Sequence, residues 1–224
     1  DPAITVSMRL VDAPGLEIEG DVFALAWTTT PWTLPANLAL CVGPEVEYSV
    51  CRVADREGAF LLASARVEAV LGEGAEVLQT IKGSDLSGWR YEPLLPYFAD
   101  SEEAFKVLVD DFVTTSDGTG IVQMAPSYGE DDYRVCRRDG LPLVDPLDAE
   151  ACFTEQAPEL KGMHCKEADK LIIRRLKDEG KLFAHATITH SYPFCERTDT
   201  PLIYRAIDAW YVKVEDLRDD LVAN

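Results

Sequence analysis

Ala26-Trp27-Thr28-Thr29-Thr30-Pro31-Trp32-Thr33-Leu34-Pro35-Ala36-Asn37 is the stretch on which the fold and the site turn. A strand-like run, Val22 to Trp27, stops at three consecutive hydroxyls, two prolines and a second tryptophan, and apolar sequence resumes only at Leu38. Each proline fixes its own φ and disfavours the helical region for its predecessor, so Thr30 and Leu34 are expected to be extended. The outcome is a stiff loop at a strand end, with hydroxyls and an indole aimed in set directions. A plain threonine-rich strand end carries the same signs, because threonine favours strands and proline ends them.

Working outward, Ile4 to Leu10 alternates like a strand, and Leu38 to Val42 continues beyond the loop. Tyr48 to Val53 and Ala59 to Leu62 flank Asp55-Arg56-Glu57-Gly58, which has the residues of a hairpin turn. Ala65 to Leu71 suits a short helix, and Glu76 to Ile81 and Phe105 to Val109 suit strands. Further on, Ile121 to Met124 reads as a strand, with a short helix from Glu130 to Arg138 opening on three acids that favour its positive end. In Cys165 to Glu179, Ala168, Leu171, Ile172 and Leu176 form an apolar stripe opposite a charged face, and Gly180 supplies the stop. Leu202 to Ala206 and Ala209 to Val214 read as two last strands, with a helix from Glu215 to Ala223. The expected class is mixed α/β, of the α+β kind, with peripheral helices and a core that is β-barrel-like or sandwich-like.

With 224 residues the chain can bury a sizeable core as one domain. No apolar run is long enough to span a bilayer, so no membrane partner is expected and the cytoplasm is the expected location. The six cysteines contain no Cys-x-x-Cys pair, and buried free thiols are expected rather than a metal site. Against 21 Lys and Arg stand 40 Asp and Glu, a formal charge of −19. Such a surface does not neutralise a long run of phosphates, so any nucleic acid contact should be small and only shallowly salt-dependent.

No nucleophile elbow, P-loop, dinucleotide glycine fingerprint or His-Glu-x-x-His motif is present, so neither a cofactor nor a metal is implied. What the residues allow is a polar pocket of threonines with a carboxylate, suited to positioning a substrate and a water.

The threonine segment, together with Gly118-Thr119-Gly120-Ile121-Val122, Ala125-Pro126 and Gly129-x-Asp131-Asp132-Tyr133, resembles the editing domain of isoleucyl-tRNA synthetases. The tail is similar to the same family in His190-Ser191-Tyr192-Pro193-x-Cys195, Thr200 to Ala206 and Trp210 to Val214. Trp32-Thr33-Leu34-Pro35-Ala36-Asn37 is the isoleucyl form of a motif whose Thr-Thr-x-Pro core valyl and leucyl relatives share. The resemblance implies a single editing domain over 1–224, excised from a larger class I synthetase, with 190–224 returning toward its catalytic domain. The His-Ile-Gly-His and Lys-Met-Ser-Lys-Ser signatures of the ATP-binding domain do not occur here.

The resemblance also implies an activity: hydrolysis of valine wrongly esterified to the isoleucine tRNA, and of valyl-adenylate as a further substrate. Its partners would be the 3′ end of that tRNA and the remaining domains in cis. Thr28, Thr29, Thr30 and Asp132 would be catalytic, the threonines on the ester and ribose and Asp132 on the α-ammonium. Trp32, Thr33, Asn37 and Gln123 would bind substrate, Trp32 against the terminal adenosine. Gln123 stands where the family usually has histidine, which implies either a size filter with less pH dependence or a weakened one. A catalytically impaired module that binds the tRNA 3′ end is the competing reading.

Overall fold

The computed structural model describes residues 1–189 and 192–223. The His190-Ser191 part of the tail motif therefore lies outside the described residues. Among the described residues ten strands form one mixed sheet: β1 (Pro2–Asp12), β2 (Val22–Thr28), β3 (Ala39–Val42), β4 (Glu47–Arg52), β5 (Ala59–Ala63), β6 (Glu76–Lys82), β7 (Arg90–Tyr91), β8 (Lys106–Val109), β9 (Ile121–Met124) and β10 (Leu182–Thr187). Four helices accompany them: α1 (Val67–Leu71), α2 (Glu130–Arg138), α3 (Cys165–Asp178) and α4 (Arg218–Ala223). The mixed α/β class expected from the sequence is what forms.

The sheet runs β6-β4-β5-β2-β1-β7-β8-β3-β9, with β10 also on β1. β1 holds the two halves together, because its length lets it pair β2 and β10 along one part and β7 at Leu10 and Asp12. The path curls until the turn before β9 meets the end of β5, where Ala63 N–H donates to Thr119 O at 2.9 Å. β6 and β9 end the path and do not pair with each other, so the barrel-like core is curved but not closed.

The core follows from the strand residues. All five positions of β5 are buried, as are all four of β3, so neither alternates. Each strand is covered on both faces, the pattern of an interior strand. Ile4, Leu25, Leu34, Leu38, Leu40, Leu61 and Leu62 are fully enclosed. At roughly 1.5–3 kcal/mol each, this burial outweighs exposed ion pairs such as Arg9 with Asp21 and Glu92, which typically contribute about 0–1 kcal/mol.

Several local expectations give way to packing. Pro31–Ala36 is a 3-10 turn, with Thr33 N–H donating to Thr30 O and Asn37 N–H to Leu34 O. Leu34 is thus helical rather than extended, while Thr30 stays outside the turn at φ −125 and ψ 71. Burial of Trp32 and Leu34 overrides the preference of a residue before proline. The stretches expected as strands at 202–206 and 209–214 form none, since no strand lies beside them among the described residues. Cys41, Cys51, Cys136 and Cys165 are buried thiols as expected, but Cys152 and Cys195 are partly exposed. At the other end of the chain, Asp1 and Ile188 exchange backbone hydrogen bonds, each 3.0 Å long.

Gly120 marks a tight approach between the two halves. Its φ is +74, and a Cβ there would stand 2.4 Å from Ala63 Cβ. The strained conformation and the clash act together, so Gly120→Ala should lower the unfolding free energy by about 1–3 kcal/mol, read as a lower urea midpoint. An unchanged midpoint would mean that β5 and β9 are not held at this distance.

Candidate functional site

β2 ends at Thr28, the 3-10 turn follows, and β3 leads away from it. β3 pairs antiparallel with β9 in a register that sets Leu40 opposite Gln123 and Ala39 opposite Met124. That register brings Gln123, distant in sequence, against the inner side of the turn. Gln123 Nε2 donates to Thr33 Oγ1 at 2.8 Å, and its Oε1 accepts from Asn37 Nδ2 at 3.3 Å.

The hydroxyls continue the string. Thr33 Oγ1 lies 3.4 Å from Thr30 Oγ1, which lies 3.3 Å from Thr28 Oγ1. Thr28 Oγ1 also accepts from Thr30 N–H at 3.1 Å, and Thr33 Oγ1 donates to Thr30 O at 2.9 Å. At the far end Asn37 Nδ2 donates to Ala39 O, and Tyr91 O–H donates to Asn37 Oδ1 at 2.8 Å. Thr28, Thr33, Asn37 and Gln123 are all buried. Unpaired polar groups at this depth would each cost about 1–3 kcal/mol, so the string is a requirement of folding as well as a candidate site. Gln123 is therefore no solvent-facing strand residue. Thr29 is half-buried and takes no part in the string among the described residues.

Asp132 sits in the first turn of α2, and its Oδ1 accepts from Ala125 N–H at 2.8 Å. That bond fixes the carboxylate just beyond the end of β9, two residues past Gln123. No hydrogen bond joins it to the threonines among the described residues. Burial pushes the Asp132 carboxyl up to about 6, against the pull of the Ala125 N–H. α2 itself is clamped to β8 through Asp110, whose nearly buried side chain takes Arg134 on both oxygens and Arg138 on one. Those hydrogen bonds, Arg134 first, hold Asp110 down at about 2. A cavity of about 340 Å³ adjoins α2 between Gly129, Glu130, Tyr133 and residues 204–207, and it includes neither the threonines nor Asp132.

Trp32 does not present its ring to a base. It is 3% exposed, packs edge-on against Tyr128 at 5.0 Å, and its indole N–H is buried without a partner. Its backbone N–H donates to Asp169 Oδ1 at 2.8 Å. Asp169 is the residue that the sequence reading missed. The apolar stripe of α3 buries Cys165, Ala168, Asp169, Ile172 and Leu176, whereas Leu171 is 40% exposed. A carboxylate four residues after Cys165 and three before Ile172 was the available signal. Burial pushes Asp169 up to about 6, opposed by the Trp32 N–H and by Lys166.

Comparison with known proteins agrees with this frame. No family model matches the chain. The isoleucine–tRNA ligase of Bdellovibrio bacteriovorus is 48% identical over 100% of this chain and 21% of its own length. The cytoplasmic isoleucine–tRNA ligase of Mus musculus is 45% identical over 100% of this chain and 18% of its own. Among solved structures, the P. falciparum cytosolic leucyl-tRNA synthetase editing domain aligns with a TM-score of 0.60 at 11% identity, over 84% of this chain and 100% of that one. Its P. knowlesi counterpart aligns at 0.59 with 14% identity, over 84% and 97%.

The chain belongs to the isoleucyl-tRNA synthetase family.

It spans about a fifth of the length of the synthetases it matches, and its fold is that of a synthetase editing domain. In the synthetase segment, Thr28, Thr30, Thr33, Gln123 and Asn37 come together in one hydrogen-bonded string, with Asp132 anchored at the end of the same strand. Among the described residues no group of three or more His, Cys, Asp or Glu is arranged to hold a metal ion.

The carboxylates set opposite pH dependences. Asp132 and Asp169 have folded pKa values above that of an unfolded aspartate, so the folded state binds more protons between about pH 4 and 6. Their contribution therefore rises as pH falls from 7 to 5. Asp110 is shifted the other way, and its contribution is lost as pH falls through about 4 toward 2. Melting temperature followed from pH 7 to 3 should show a gain near pH 5 that Asp132→Asn flattens. A monotonic decline in both proteins would contradict the upward shift of the Asp132 carboxyl.

Proposed function

We propose that this segment is the editing unit of an isoleucyl-tRNA synthetase and hydrolyses valine mischarged onto the isoleucine tRNA. The observation that carries the reading is similarity to isoleucine–tRNA ligases across the whole chain, joined to a fold of the editing-domain kind. The threonine string and Asp132 supply chemistry that suits it. Valine lacks one methylene of isoleucine, a difference that a synthetic site discriminates poorly and that a second, smaller pocket can sort in reverse.

Ionised Asp132 makes a charge-assisted hydrogen bond to the α-ammonium and so orients the ester carbonyl. Thr30, with a free hydroxyl of the terminal ribose, holds the water that attacks that carbonyl. The bond from carbonyl carbon to ribose oxygen breaks, the water proton passes to the leaving ribose oxygen, and valine and free tRNA result. Thr28 and Thr29 line the ester and ribose side. Thr33 and Asn37 fix Gln123, whose reach toward the side chain sets the size limit. Valyl-adenylate, a mixed anhydride of valine and AMP whose carbonyl is open to the same attacking water, is a second substrate of the same pocket. The enzyme is thus an aminoacyl-ester hydrolase, and positioning carries most of its rate enhancement.

The rest of the reading concerns the larger protein. Residues 1–224 form one editing domain, and 190–224 return toward the catalytic domain in cis. Tyr204, Ile207, Trp210 and Tyr211 are 70% exposed or more, as suits a segment that packs on a neighbouring domain. Only the 3′ end of the tRNA enters, consistent with a charge of −19. No described helix is long and apolar enough to cross a membrane, and the mouse relative is cytoplasmic by name. We place this protein in the cytoplasm as well.

Single-turnover deacylation of Val-tRNA by the full synthetase decides between hydrolysis and mere binding of the 3′ end. Thr30→Ala and Asp132→Ala should each slow it by roughly a hundredfold or more. The wild-type rate should fall as pH drops through about 6, where Asp132 takes a proton and loses its hold on the ammonium. Undiminished rates in both variants would remove these roles. Gln123→His should raise discrimination against Ile-tRNA or make it pH-dependent, and an identical ratio of valine to isoleucine hydrolysis across pH 5 to 8 would leave Gln123 outside the filter.

A further inference from the structure

We propose that Asp169 of α3 is a positioning residue for hydrolysis, capping the threonine turn from outside so that the Thr30 hydroxyl stays free for the substrate side. The inference rests on the editing reading above and extends it to a residue in a different element.

The 3-10 turn Pro31–Ala36 begins with backbone N–H groups that have no partner within the turn. A threonine in the capping position ordinarily turns its own hydroxyl back onto such an N–H. Thr30 occupies that position and makes no side-chain cap bond. Its hydroxyl faces Thr28 and Thr33 instead. Pro31 brings no N–H, so Trp32 supplies the first donor of the turn, and Asp169 Oδ1 accepts it at 2.8 Å from 137 positions along the chain.

Asp169 is only 9% exposed, and an aspartate at that depth is costly unless it is paired. Spending it on a backbone N–H makes sense where the position of that N–H matters. The Trp32 indole cannot do the same work, because its own N–H has no partner and its ring is held by packing against Tyr128. Lys166, one turn earlier on α3, stands 5.9 Å from the centre of the Trp32 ring and adds a favourable charge near Asp169. Lys170 of α3 and His185 of β10 line the same cavity of about 590 Å³ as Asp169. α3 thereby holds the turn from one side while Gln123 of β9 holds it from the other.

Removing the carboxylate leaves the Trp32 N–H buried and unpaired, and the cheapest remedy is for the Thr30 hydroxyl to swing back as the cap. That movement takes Thr30 from the substrate without touching any group that binds it. The test uses the full synthetase. Asp169→Ala should lower the single-turnover rate on Val-tRNA on the order of tenfold or more, with KM unchanged, and should speed hydrogen exchange at the Trp32 amide. Asp169→Asn retains an acceptor oxygen and should keep both the rate and the amide protection within about twofold. A merely structural role predicts equal losses in both variants, tracking their melting temperatures. An Asp169→Ala enzyme with the wild-type rate, or an Asn variant as slow as Ala at equal stability, overturns the proposal. Wild-type enzyme that leaves Val-tRNA intact overturns the editing reading itself and this proposal with it, which separates the two failures. If the Ala variant does not fold, Asp169→Leu, which also removes the acceptor, takes its place with the same expected losses and the same overturning result.

Discussion

The antiparallel register between β3 and β9 is the constraint on which the rest of the site depends. It sets Leu40 against Gln123, and only in that register can one glutamine reach both Thr33 and Asn37. A slip of one residue would turn Gln123 to the other face and leave several buried polar groups without partners. The threonine turn and the strand that reads it are therefore positioned by the same hydrogen bonds that hold the sheet together, and site geometry is part of the folding energy rather than an addition to it.

Around that string the protein holds three carboxylates in two different ways. Asp110 is held by two arginines and is easily ionised. Asp132 and Asp169 take backbone N–H groups instead, and burial keeps both near 6. In a chain with nineteen more acids than bases, an aspartate placed inside without a cation is a selective arrangement. Asp110 steadies the helix that carries Asp132, so the acid held by arginines serves the one held by backbone N–H.

Much of this was legible before any coordinates. The strand runs of the first half, α2 and most of α3 follow from periodicity and turn residues, and the threonine segment with Asp132 pointed to the family. What failed did so for identifiable reasons. β7 has two residues and exists only because β1 and β8 flank it, so no local pattern announces it. The apolar alternation at 202–214 is real, but a strand needs a neighbour and none lies there among the described residues. The family resemblance set Trp32 against the terminal adenosine, whereas its ring is buried in the core. Asp169 was hidden by treating every charge on α3 as solvated, although its spacing placed it on the apolar face.

One further property follows from the reciprocal hydrogen bonds between Asp1 and Ile188. The antiparallel pairing of β1 with β10 thus sets residues 1 and 188 side by side. A longer polypeptide that carries this unit in its interior meets it as a short excursion, with the entropy of joining the ends already met inside the insert.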